Sequence, residues 1–160
     1  MSAMQRRKGR SFEQQIATAY RGLLPHRVVR RSLQAHQPFE PDVVIEGVPV
    51  WTECQDARHP TPEKKHQQAV RDIAKAKQHG VIHANVLPVV VWHRIRERES
   101  WATFEWSDLA FLLGVDTSKM PSMLVTVTFR DFLAALVVID DLHRYVKPNG
   151  TQTGNGLALG

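Results

Sequence analysis

The chain has little cysteine and no long apolar run, and these absences exclude several classes of protein. Cys54 is its single cysteine, which excludes an intramolecular disulfide framework and favours a reducing cytosol. No run of about 18 apolar residues exists, so the sequence predicts no transmembrane helix. The basic N-terminus lacks the apolar core of a secretory signal. We therefore expect a cytoplasmic protein that makes no use of a membrane.

Metal-binding spacings of the zinc type are also missing. The chain has 8 histidines, but neither a CxxC nor an HExxH pattern accompanies them, so a structural zinc site is not expected. What the chain does have is a length of 160 residues and an apolar fraction of 42%, which suit one domain with a real core.

Positive charge is concentrated at one end of the chain. Residues 1–31 hold eight Lys or Arg and one acid, a net charge of +7, whereas the remainder carries −2. A basic segment attached to a near-neutral body favours nucleic-acid binding, and a solvated tail is the alternative. The basic residues are Arg6, Arg7, Lys8, Arg10, Arg21, Arg27, Arg30 and Arg31.

Hydrophobic patterning predicts an α/β fold with a mixed central sheet and helices on its faces. Residues 1–9 are expected to form a flexible basic arm, residues 10–146 a single domain and residues 147–160 a disordered tail. The strands at 49–56 and 86–92 should be parallel neighbours, because a helix connects them. Helices are predicted at 11–22, 62–79, 107–113 and 131–139, and strands at 28–32, 42–47, 49–56, 86–92, 101–106 and 124–128.

The segment 41–55 is predicted to be a β-hairpin that carries acids. Gly47 marks the turn, and a turn centred between Gly47 and Val48 pairs Asp42 with Glu53. Opposed side chains have Cβ atoms roughly 4.5–5.5 Å apart, where like charges destabilise the pair. Two such carboxylates need a cation between them, and Mg²⁺ takes oxygen ligands of this kind.

Strand alternation places Glu53 and Gln55 on one face and directs Thr52 and Cys54 toward a core. The Cys54 carbonyl can then add a ligand to a metal held by Asp42 and Glu53. Such a site beside basic residues suits phosphodiester hydrolysis. The alternative is an ordinary turn, in which Asp42 follows Pro41 and Glu53 faces solvent.

Several motifs, taken in order, resemble those of the PD-(D/E)xK nuclease superfamily. Pro41-Asp42 followed by Glu53-x-Gln55 resembles the signature motif. The stretch RRKGRSFEQQIA (6–17) resembles the opening helix of archaeal-type Holliday junction resolvases, and VVRRS (28–32) resembles their basic strand. The segment KKHQQAVRDIAKAKQHG (64–80) resembles the helix that follows the motif. The resemblance covers roughly residues 6–95 and rests on the order of the motifs.

This resemblance implies a restriction-endonuclease-like core and a role for each matching residue. Catalysis would fall to Glu13, Asp42, Glu53 and Gln55. Mg²⁺, or Mn²⁺ in its place, would be bound by Asp42, Glu53, the Cys54 carbonyl and Glu13, the last directly or through water. DNA would be bound by Arg6, Arg7, Lys8, Arg10, Arg30, Arg31 and Ser32, and support would come from Gln67, Gln68, Lys64 and Lys65.

Gln55 departs from the family pattern, which has Lys at this position. Lysine supplies a positive charge to the transition state, whereas glutamine supplies only hydrogen bonds. Some superfamily nucleases carry Gln here and remain active, and Lys64 or Lys65 of the next helix could take over the charge. The alternative is a weakened or inactive site.

The resemblance therefore implies a Mg²⁺-dependent endonuclease that resolves four-way DNA junctions in recombination and repair. It would act on branched DNA as a homodimer, associated with the nucleoid or, for a viral protein, located in the host cytoplasm. The apolar segments within 101–139 could supply the dimer interface. The alternatives are another nuclease of the same superfamily, of the repair or restriction type, and a non-catalytic DNA-binding protein with a degenerate site.

Overall fold

The computed structural model describes residues 3–32, 39–82 and 85–145, which form an α/β fold. Its six strands make one mixed sheet with helices packed against it, which confirms the predicted fold class. The elements are α1 (Ala3–Leu23), β1 (Val29–Arg31), β2 (Val43–Ile45), β3 (Val50–Ala57), α2 (Pro62–Gln78), β4 (Leu87–Arg94), β5 (Ser100–Glu105), α3 (Trp106–Leu112), β6 (Leu124–Thr128) and α4 (Phe129–Tyr145).

The strands lie in the sheet in the order in which they occur along the chain. All neighbouring pairs are antiparallel except β3 and β4, which are parallel, with Glu53 opposite Val90. Helix α2 makes the crossover between these two strands, as predicted, because parallel neighbours need a long connection. The edge strands of the sheet are therefore β1, which lies next to the acidic hairpin, and β6.

The core divides between the two faces of the sheet. Helices α1 and α4 bury the larger cluster, in which Tyr20 and Phe132 are fully buried. Helix α2 covers the other face with Ala69, Ile73 and Ala76 packed against Trp51, which is the narrow apolar stripe that its spacing predicts. The residues of β3 consequently alternate between a face covered by α1 and a face covered by α2.

The N-terminal segment differs from the prediction. Helix α1 begins at Ala3 and not at Ser11, so most of the expected flexible arm at 1–9 is helical. Its Met, Gln, Arg and Lys residues are good helix formers, and Gly9 alone is too weak a breaker to end the helix. Helix α4 is also longer than predicted and reaches Tyr145. The predicted tail at 147–160 lies outside the described residues.

Over residues 3–32, 39–82 and 85–145, no helix is long and apolar enough to cross a bilayer.

Candidate active site

The acidic hairpin has the predicted register. Val43 of β2 pairs with Thr52 of β3, so one step outward Asp42 lies opposite Glu53. The turn contains Gly47 at φ +76°, a backbone conformation that glycine adopts without steric cost. Both acids are buried, with Asp42 7% exposed and Glu53 5% exposed. The hairpin therefore brings two carboxylates together in a place with little access to water.

A cation does lie beside these two acids, and it is the ammonium group of Lys65. Its Nζ lies 2.6 Å from Glu53 Oε2 and 4.0 Å from Asp42 Oδ2. The other oxygen of Glu53, Oε1, accepts a 2.9 Å hydrogen bond from the indole nitrogen of Trp51. Asp42 Oδ2 accepts a 2.8 Å hydrogen bond from the backbone nitrogen of Cys54. Both acids are thus fixed by groups on β3 and α2.

Burial and mutual repulsion set the electrostatics of this cluster. Burial raises the pKa of Glu53, and the charge of Asp42 raises it further, while Lys65 opposes both effects. Burial alone lowers the pKa of Lys65, but the charges of Glu53 and Asp42 outweigh it, so the net shift is upward. Lys65 is therefore a firmly charged ammonium, and it stabilises the carboxylate pair.

Glu13 joins the cluster from α1. It accepts a 3.3 Å hydrogen bond from Arg31 Nη1 on β1. Burial raises the pKa of Glu13, and the charge of Asp42 adds to the effect, which places the two carboxylates within electrostatic range of each other. Arg31 and the exposed Arg10 oppose this shift. Glu13 of α1 is hence linked electrostatically to Asp42, which lies just before β2 and opposite Glu53 of β3.

Arg30 and Ser32 form a second cluster, around an acid that the sequence analysis missed. Arg30 binds Glu40 through two hydrogen bonds of 2.6 and 3.1 Å, and Ser32 Oγ donates to the same carboxylate at 3.0 Å. The hydrogen bonds from Arg30 are the main cause of the lowered pKa of Glu40. The Ser32 amide donates to the Asp42 carbonyl at 3.0 Å, so this cluster adjoins the first. The only sequence signal for Glu40 was its place directly before Pro41.

Gln55 lies on the same face as Glu53 but its amide group contacts the start of α2. Its Oε1 accepts a 3.0 Å hydrogen bond from the backbone nitrogen of Thr61, the residue before the helix. Of the four predicted supporting residues, only Lys65 contacts the acids within the described part of the chain. The others, Lys64, Gln67 and Gln68, are exposed on α2.

The predicted DNA-binding residues of the N-terminus lie on α1. Arg6, Arg7 and Lys8 belong to its first turns, but their side chains lie outside what the structure describes. Arg10 is exposed one turn before Glu13.

A histidine at the end of β4 was also missed. His93 Nδ1 lies 3.1 Å from Asp56 Oδ1 and its Nε2 lies 2.8 Å from the Glu97 carbonyl. Its ring lies 5.9 Å from the ring of Phe12 on α1, beside a cavity of about 250 Å³. The turn after β4 is closed by an ion pair between Arg94 Nη1 and Glu97 Oε1, which lie 3.0 Å apart.

The donor atoms of the acid cluster suit Mg²⁺ in kind, because Mg²⁺ prefers carboxylate oxygens. Within residues 3–32, 39–82 and 85–145, however, no group of three or more His, Cys, Asp or Glu is arranged to hold a metal ion. Lys65 stands where the cation was predicted, 2.6 Å from Glu53. A contribution from the Cys54 carbonyl stays a prediction.

No protein-family model matches this chain, and no curated protein matches its sequence.

Proposed function

We propose that this protein is a Mg²⁺-dependent DNA endonuclease that resolves four-way junctions. The observation that carries the proposal is the convergence of Glu13, Asp42 and Glu53 with Arg31 and Lys65. Arg31 pairs with Glu13, and Lys65 lies beside both Glu53 and Asp42. This combination suits hydrolysis of a phosphodiester, in which acids hold a metal and cations bind the phosphate. On this proposal, the sheet and its helices contain a restriction-endonuclease-like core.

Asp42 and Glu53 would hold the metal ion, with Glu13 as a further ligand, directly or through water. The ion, when bound, would polarise the phosphoryl oxygen and activate water. Glu13 is held in place by Arg31, and Asp42 by the Cys54 amide, so neither carboxylate has to be ordered during the reaction. Such prearranged groups lower the cost of reaching the transition state.

Lys65 would supply the positive charge that Gln55 does not, and would supply it to the phosphate once a metal ion has taken its place on the acids. It is the one lysine of α2 whose ammonium reaches the acids in the described structure. Gln55 would act as a positioning residue, because its hydrogen bond to Thr61 fixes the start of the helix that carries Lys65. The motif lysine would thus have moved from β3 to α2, and an active site remains feasible without it at position 55.

Branched DNA would be bound mainly through its phosphates. The +7 charge of residues 1–31, much of it on α1, supports this assignment. Phosphate contacts carry little sequence information, so junction shape would set the preference, and affinity would fall steeply with salt.

A symmetric homodimer would place two sites on one junction. Support comes from large apolar side chains that are exposed within the segment predicted to form the interface. These are Trp106, Phe111, Val115, Met123, Leu124 and Val138.

The test compares cleavage of a four-way junction with cleavage of linear duplex of the same sequence, with and without Mg²⁺. We expect paired nicks in the junction, little cutting of the duplex, and no activity in Glu53→Gln. Glu46→Gln is the matched control, because Glu46 lies on the same hairpin but is exposed. Equal cutting of both substrates would contradict junction specificity and favour another nuclease of the repair or restriction type.

A non-catalytic DNA-binding protein is the second candidate. The observation that favours it is the 2.6 Å contact of Lys65 with Glu53, together with the engagement of Gln55 by Thr61. Junction binding without any Mg²⁺-dependent nicking by the wild-type protein would establish this second function and refute the first.

A further inference from the structure

Both oxygens of Glu53 are already engaged in this structure. Oε1 accepts from the Trp51 indole at 2.9 Å and Oε2 lies 2.6 Å from Lys65 Nζ. A metal ion bound by Glu53 would therefore share an oxygen with one of these two partners. Trp51 is 3% exposed and packs against α2, so its indole has little freedom to move. Lys65 is a flexible side chain with 22% of its surface exposed, and it is the partner that can leave.

Lys65 and a metal ion also cannot share the same oxygen comfortably. Mg²⁺ binds oxygen at about 2.0–2.1 Å, so an ion on Oε2 would lie next to an ammonium that is itself 2.6 Å from that atom. Two cations in contact, in a place with little water, repel strongly. The same ammonium lies 4.0 Å from Asp42 Oδ2, so an ion shared by the two acids would meet it there as well.

We infer that Lys65 is a built-in counter-ion that competes with the divalent metal for Asp42 and Glu53. The inference rests on the proposed metal site and adds a control to it. Without metal, Lys65 neutralises part of the charge of the buried acids and stabilises their ionised forms. Metal binds only as the ammonium leaves, so the affinity for metal is lower than the acids alone would give. The helix need not move, because its start is anchored separately through Gln55.

The first experiment measures Mg²⁺ binding by calorimetry in the absence of DNA. Lys65→Met is compared with the wild type and with Lys64→Met, which removes the same charge from an exposed neighbouring position. Because Lys65→Met removes the competing cation, it should bind Mg²⁺ at least about tenfold more tightly, a difference of about 1.4 kcal/mol. Lys64→Met should bind like the wild type.

The second experiment uses the wild-type chain, because Lys65→Met leaves two buried acids without their cation and can lose its fold. Acetylation of lysine amines is followed by mass spectrometry with and without Mg²⁺. Lys65 should react slowly without metal, and its rate should rise toward that of Lys64 when Mg²⁺ is added. The rate of Lys64 should not change.

The inference is overturned if Lys65→Met binds Mg²⁺ no more tightly than the wild type, or if Mg²⁺ leaves the labelling of Lys65 unchanged. Absence of Mg²⁺ binding in the wild type and in a folded Lys65→Met would overturn it as well. Neither experiment uses DNA, so its failure is distinguishable from failure of the proposed function. Tighter Mg²⁺ binding by Lys65→Met, combined with no junction cleavage by the wild type, would keep the inference and remove the endonuclease.

Discussion

Asp140 is a buried acid that ties the loop after α1 to α4, and we expect Asp140→Asn to destabilise the protein severely. Its carboxylate contacts Arg27 Nε at 2.6 Å, His26 Nε2 at 2.7 Å and Arg144 Nη2 at 2.7 Å. The side chain of Asp140 is 1% exposed. Asparagine keeps its shape but removes its charge, so the substitution tests the ion pairs and not the packing.

The size of the effect follows from the exposure of the three partners. Arg27 is 20% exposed, so its charged hydrogen bond should contribute about 1.5–3 kcal/mol. His26 and Arg144 are 39% and 43% exposed, and solvent screening leaves each of them about 0–1 kcal/mol. The total is about 3 kcal/mol of unfolding free energy, which for a chain of this length lowers Tm by roughly 6–12 °C.

The loss should depend on pH in a defined direction. Burial alone raises the pKa of Asp140, but hydrogen bonds from Arg144, Arg27 and His26 outweigh it and lower the pKa. Because the folded pKa lies below the unfolded value of about 3.9, the ion pairs stabilise the protein fully above that pH. This stability is lost as the pH falls through the folded pKa. The gap between wild type and Asp140→Asn should therefore narrow in acid.

Urea unfolding is followed by circular dichroism from pH 7 to about pH 3. It measures the unfolding free energy that Asp140→Asn loses and how far the gap to the wild type narrows in acid. Asp141→Asn is the matched control, because Asp141 is 53% exposed and lies 3.6 Å from the same Arg144. The unfolding free energy of this control should fall by less than about 0.5 kcal/mol. If Asp140→Asn loses no more than the control, or if the gap does not narrow in acid, the reasoning is refuted.

Three further substitutions test other parts of the fold by urea unfolding. Tyr20→Phe removes a buried hydroxyl that lies 3.2 Å from a threonine of β3, and should cost about 1 kcal/mol. Gln55→Ala removes the hydrogen-bond acceptor at the start of α2 and should also cost about 1 kcal/mol of unfolding free energy. Gln67→Ala is its control, because Gln67 is exposed on the same helix, and it should cost nothing measurable. Burial lowers the pKa of His66, so the unfolded chain binds the proton more readily and wild-type stability falls below about pH 6.5. His66→Gln should therefore lose less stability than the wild type on acidification through this range.

The hairpin could be predicted from sequence because its determinants are local. Gly47 marks the turn, and side chains alternate between faces with a period of two, so the position of the turn decides which residues face each other. The pairing of Asp42 with Glu53 follows from these two facts alone. The parallel pairing of β3 with β4 was predictable for a similar reason, since a helix between two strands allows little else.

The roles of Gln55 and Lys65 could not be read from the same patterns. Both residues were candidates for the site, and which of them reaches the acids depends on how α2 packs against the sheet. That packing is set by Trp51 and Ala69, whose contact is tertiary. The pairing of Arg30 with Glu40 was hidden for a related reason, because residues 33–40 show no period that would place their side chains.

The formal charges of the site favour the proposed exchange of Lys65 for a metal ion. Glu13, Asp42 and Glu53 carry three negative charges, while Arg31 and Lys65 return two positive ones. The cluster therefore keeps a net charge of −1 with Lys65 in place, in surroundings where burial already raises the pKa of two of its acids. Exchange of the ammonium for a divalent ion removes one positive charge and adds two, which brings the cluster to neutrality. A buried site gains from that neutrality, because an uncompensated charge costs more there than in water. On the proposed metal site, Lys65 would thus be the weaker of two cations competing for the acid pair, and this is the property that a counter-ion open to displacement requires.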